Sequence, residues 1–136
     1  MSVERVEHQG KVIALIVNGQ FEQEGVNFFT GGDNPLQLGV INRRAGETIQ
    51  PHIHRNQELS VKGIQEVLHI DRGRVAVDFY TEDGDSIGNR TLNRGDTILL
   101  MGCGHGLRIL EDSRVIEVKQ GPYDEANTTK IETGQG

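Results

Sequence analysis

Apolar residues along the chain come in short runs that alternate with polar ones, and turn residues break the runs roughly every eight to twelve positions. Ten runs predict strands: residues 12–17, 26–30, 36–42, 48–54, 65–71, 74–81, 91–93, 97–101, 106–110 and 114–120. Between them stand Gly31-Gly32-Asp33-Asn34-Pro35, Ala45-Gly46-Glu47, Asp71-Arg72-Gly73, Glu82-Asp83-Gly84-Asp85 and Arg94-Gly95-Asp96, all turn chemistry. The run 74–81 shows the pattern most plainly. Val75, Val77 and Phe79 fall on one face and Ala76, Asp78 and Tyr80 on the other, a period of two with one dry face. No eleven-residue window carries an apolar stripe at helical spacing. The expected fold is all-β. A barrel or jelly roll is expected over an open sheet, because closure removes the edges that many short strands would expose. Residues 1–123 are expected to form a single domain. The polar stretch 124–136 (DEANTTKIETGQG) reads as a tail, frayed or docked on a partner. Residues 55–64 (RNQELSVKGI) are long for a hairpin and read as a loop beside a pocket.

Composition narrows the function. A chain of 136 residues suits one core. Acidic residues outnumber basic ones by 20 to 14, a net charge of −6, which argues against a general nucleic-acid binder. The longest apolar run, 12–17, falls far short of the roughly 20 residues a membrane helix needs. The start, Met1-Ser2-Val3-Glu4-Arg5, has no secretory profile. Cys103, the single cysteine, has no partner for an internal disulfide, so a cytoplasmic location is expected.

The candidate chemistry lies in residues 46–105. His52 and His54 are spaced i, i+2, which in a strand puts both imidazoles on one face, roughly 6–7 Å apart. Glu66 opens the next strand and Gly73 closes the turn after it. His105 follows the glycine-rich turn Gly102-Cys103-Gly104. Three neutral imidazoles and one carboxylate suit Fe(II), Mn(II), Ni(II) or Zn(II). The spacing of Gly46, His52, His54, Glu66 and Gly73 resembles the first motif of the cupin superfamily, and the run from Gly95 to His105 resembles the second. The sequence departs from that pattern twice. Eleven residues, 55–65, separate His54 from Glu66 where the family has three or four, and Met101 stands where it usually has proline. The long gap makes Glu58 a rival acidic ligand, since it sits at the family's usual distance from His54. Glu66 is preferred, because only the run after it alternates and ends on a glycine turn. Glu66, Leu68 and Ile70 then share a face, carboxylate first and core beneath.

The resemblance implies a double-stranded β-helix with one divalent ion, Fe(II) favoured, held by His52, His54, Glu66 and His105. It implies a metal-dependent enzyme acting on a small polar or anionic metabolite, an oxygenase or dioxygenase before the alternatives. Those are a sugar or sugar-nucleotide isomerase or epimerase using a tyrosine–histidine pair, and a non-catalytic small-molecule-binding protein. Alternation alone adds Gln50 beside the histidines, and Tyr80 with no face assigned; Arg44, or Arg43, is a candidate anion holder. Glu117 and Lys119 also alternate against apolar neighbours without showing which face is inward. Leu107 and Ile109 are expected to line a dry wall beside His105. His69 is expected on the face opposite Glu66, and Cys103 as a small turn residue. A homodimer is expected, with the run 12–17 pairing to a neighbour's sheet edge.

Overall fold

The computed structural model describes residues 3–132. Contacts gather the chain into two compact units, one of Met1–Phe21 with Ile64–Gly136 and the other of Glu22–Gly63. The first, the core unit, holds β1 (Val3–His8), β2 (Lys11–Val17), β5 (Glu66–Arg72), β6 (Arg74–Tyr80), β7 (Ser86–Asn93), β8 (Thr97–Leu100), β9 (Gly104–Ile109) and β10 (Arg114–Lys119). The second, the hairpin unit, holds β3 (Gly25–Phe28) and β4 (Gly39–Asn42). Among the described residues the protein is all-β apart from one 3₁₀ turn, Glu125–Asn127, and no helix there is long and apolar enough to cross a membrane.

Two antiparallel sheets build the core unit, in the orders β1-β2-β8-β5-β10 and β7-β6-β9. Neither closes on itself. Their inner faces share one core: Ala14, Ile16, Leu68, Ile70, Ile98 and Leu100 from the larger sheet meet Val75, Val77, Phe79 and Leu92 from the smaller. The dry face expected for residues 74–81 is present, with Val75, Val77 and Phe79 all buried. Tight turns depend on residues that the sequence marks. Gly73, at φ +92°, joins β5 to β6, and a Cβ there would stand 2.7 Å from Ser113 Cα. The buried Asp96 carboxylate accepts hydrogen bonds from the Asn93 amide at 2.7 Å and the Gly19 amide at 2.9 Å, which ties the β7–β8 turn to the end of β2.

Three expectations need correction. Residues 48–54 form no strand. Pro51 removes a ladder donor in mid-run, and residues 43–64 are exposed throughout, so neither face of the run gains burial. The run 12–17 does not offer an edge to a neighbour, because β2 lies between β1 and β8 of its own sheet. Leu107 and Ile109 line no dry wall: they stay 41% and 58% exposed, since β9 is the outer strand of its sheet. The sequence also hides β1. Its single buried residue is Val6, and a bulge after Val6 breaks the alternation.

The hairpin unit fully buries no side chain. Polar bonds hold it instead. Gln37 Nε2 donates to the carbonyls of Gly31 at 2.8 Å and Asn34 at 2.9 Å, and the Asn27 and Asn42 amides both donate to the Gln23 carbonyl at 2.9 Å.

Candidate metal centre

Pairing within the larger sheet sets Glu66 opposite Leu100 on one side and Lys119 on the other. The next inward row is Leu68 with Ile98 and Glu117, and the row after that pairs Ile70 with Val115. Glu66 therefore stands at the end of the core face, with the apolar rows beneath it. In the smaller sheet, His105 lies opposite the buried Phe79. The two side chains meet across the end of the sandwich, His105 Nε2 lying 3.1 Å from Glu66 Oε2. Lys119 Nζ approaches the other carboxylate oxygen at 3.8 Å and lies 5.6 Å from the centre of the Tyr123 ring.

These groups line a cavity of about 660 Å³, within the range that holds small metabolites. The C-terminal segment forms one wall of it, from Tyr123 to Ile131. Ile131 packs where Gly104 and Gly84 leave room; a Cβ at Gly104 would collide with its Cδ1. The tail is thus docked on its own chain as far as it is described, and its residues 133–136 lie outside the described residues. Tyr80 also lines the cavity, but it pairs with Gly104, and its ring approaches Gly106, so it leaves the sheet on the face opposite His105. Cys103 is an exposed turn residue at φ +63° on the cavity rim.

His52 and His54 belong to the hairpin unit, and there too the pair is together. Their rings are 5.0 Å apart between centroids and nearly perpendicular, at 79°. His52 Nδ1 lies 2.8 Å from the Gln50 carbonyl. A carbonyl only accepts, so Nδ1 is the donor of this bond and Nε2 is the ring nitrogen left for another partner. Glu58 and Gln50 are exposed in the same unit. Arg44 is taken by Glu24 at 2.6 Å, and Arg43 by Glu47 at 3.6 Å, both surface pairs. His69 faces away from Glu66, with Nδ1 2.8 Å from Thr97 Oγ1.

The four expected ligands thus stand as two pairs, one in each unit, and no group of three or more His, Cys, Asp or Glu side chains able to hold a metal ion is present among the described residues. The 3.1 Å between His105 Nε2 and Glu66 Oε2 is hydrogen-bonding distance, and an imidazole nitrogen beside a carboxylate oxygen is a donor set of the kind that divalent ions take.

Sequence reasoning left Lys119 without a face and passed over Gln120 and Ile131. The single signal for Ile131 is an apolar residue in a polar tail. Comparison of the chain with protein-family models, with curated proteins and with solved structures yields no match.

Proposed function

We propose that the protein is a metal-dependent enzyme of the cupin kind, its core unit a double-stranded β-helix, acting on a small polar or anionic metabolite as an oxygenase or dioxygenase. The 3.1 Å approach of Glu66 to His105 at the mouth of a metabolite-sized cavity carries this reading. Glu66 and His105 would hold the ion from the core unit, and His52 and His54 would complete the set through nitrogens such as His52 Nε2. A divalent ion so held supplies Lewis acidity or, as Fe(II), the electrons for O₂ chemistry. The cross-strand partners of the pair, Phe79 opposite His105 and Leu100 opposite Glu66, are both buried and give it an apolar flank. Self-association as a homodimer belongs to the same reading, through an outer strand such as β1 or β10. A monomeric mass in light scattering at micromolar concentration overturns that part.

The test is elemental analysis of the purified protein, then anaerobic reloading with Fe(II), Mn(II), Ni(II) or Zn(II). One ion per chain is expected, lost in Glu66→Ala, His105→Ala and His52→Ala and retained in Glu58→Ala. Turnover by the Fe(II) form should begin only when O₂ is admitted. Equal turnover without O₂ removes the oxygenase assignment, and tight metabolite binding without product leaves a binding protein. A folded wild type that takes up no ion overturns the metal centre.

A further inference from the structure

We propose that residues 122–131 are a strap across the cavity, and that Ile131 is the latch that holds it over Glu66 and His105. This role rests on the reading of that cavity as the functional site, and it needs no bound ion. Tyr123, Asn127 and Thr128 wall the cavity on the strap's side, facing a lining that includes Glu66 and His105. Every residue from 121 to 130 is exposed. The hydrogen bonds of the strap among the described residues are internal to it. Asp124 Oδ1 accepts from the Ala126 amide at 3.0 Å, and the Asn127 and Thr128 amides return to the carbonyls of Asp124 and Glu125, both at 3.1 Å. A segment with so little burial is held by its ends. One end is its covalent root in β10. The other is Ile131, the first residue after Gln120 to be half-buried.

Two glycines make the socket for Ile131. Its Cγ2 would lie 3.2 Å from a Cβ on Gly84, in the β6–β7 turn, and its Cδ1 would collide with one on Gly104, in β9. Gly84, at φ +92°, is a glycine that its turn demands. Gly104 is different. It pairs with Tyr80 inside a ladder, and its φ is not in the positive range that excludes other residues. Glycine weakens a strand, and in a ladder it marks a place where something must come close. Here Ile131 comes close, the one large apolar residue between Asp124 and Gly136. Release of this single side chain frees the whole strap, while its seating keeps one wall of the cavity in place. A small molecule reaches His105 by unlatching Ile131, the gating role that loops take over many binding sites.

The experiment uses the full-length protein, treated with chelator so that no ion shields a histidine. Diethyl pyrocarbonate is the probe, and mass spectrometry reads carbethoxylation of His105 against that of His8 on β1. In wild type, NMR should show the Ile131 Cδ1 methyl beside Gly104. Ile131→Asp should speed the His105 reaction about fivefold or more, with His8 and the melting temperature unchanged. Gly104→Ala should act in the same direction although residue 131 is untouched. Gly104→Ala combined with Ile131→Val should return towards the wild-type rate, because valine lacks the Cδ1 carbon that the alanine would strike. An unchanged His105 rate in Ile131→Asp overturns the latch, and so do equal rates in Gly104→Ala and the double variant. A melting temperature lowered in Ile131→Asp as far as in Phe79→Ala makes Ile131 part of the core and overturns it too. Failure of the wild type to take up metal overturns the metal centre alone, since no ion enters this experiment.

Discussion

The two units of this chain are held by different forces. The core unit buries Val75, Val77, Phe79, Ile70, Ile98 and their neighbours between two sheets, and loses its shape if that packing is opened. The hairpin unit has no fully buried side chain, only half-buried ones such as Phe29, Leu38 and Val40, and is laced by side-chain amides on backbone carbonyls and the Arg44–Glu24 pair. Each unit nevertheless carries one pair of the candidate ligands. Apolar burial fixes Glu66 and His105 from two sheets, whereas local polar bonding orients His52.

The sharpest way to break this contrast is to cut the core. Phe79→Ala should cost about 3–5 kcal/mol by chemical denaturation, the range for deleting a buried phenylalanine. A cost below 1 kcal/mol would mean that the two sheets do not share one core. Asp96→Ala should cost about 2 kcal/mol or more, because it strips a charged acceptor from two backbone amides in the β7–β8 turn.

A pH experiment separates the units more finely. Arg108 donates two hydrogen bonds to Asp78, at 2.8 and 2.9 Å, and holds that carboxyl below its ordinary value of 3.8. A carboxyl with a lowered folded pKa stabilises the fold above its unfolded pKa, and that contribution disappears as pH falls through the folded value. Stability of the core unit should therefore drop below about pH 4, and Arg108→Met should flatten the drop. Asp71, lowered by its hydrogen bond to Arg114, acts in the same direction. An unchanged acid limb in the variant would remove the pair from the account.

The smallest effect belongs to the hairpin unit. Ile53, 73% exposed, should tolerate Ala within about 0.5 kcal/mol. Backbone amides of residues 43–63, outside any ladder, should exchange with solvent far faster than those of β5, β6 and β8. Slow exchange there would show that the segment is packed after all.

Much of the core unit was legible because its strands alternate. The runs at 65–71, 74–81, 97–101 and 114–120 correspond to β5, β6, β8 and β10 to within a residue at either end. Strands that owe their existence to a partner were not legible. β1 pairs with β2 although its own pattern is broken, and β7 extends back to Ser86 through a stretch whose one large apolar residue before Leu92 is the half-buried Ile87. Residues 48–54 erred in the opposite sense: a clean alternation, interrupted by Pro51, that gains no burial.

By itself the sequence determined the parity of β5, β6, β8 and β10, the turns at Gly73 and Asp96, and which side chains are candidates to bind an ion. Tertiary structure decided which face of β10 is inward, and so brought Lys119 to Glu66. It decided that β9 is an outer strand, which left Leu107 in solvent. It also decided that the tail closes over Gly104. Alternation is a local property of a chain, readable residue by residue. Which strand pairs with which, and what covers an edge, depends on contacts between residues far apart in sequence, and no local pattern encodes their distance.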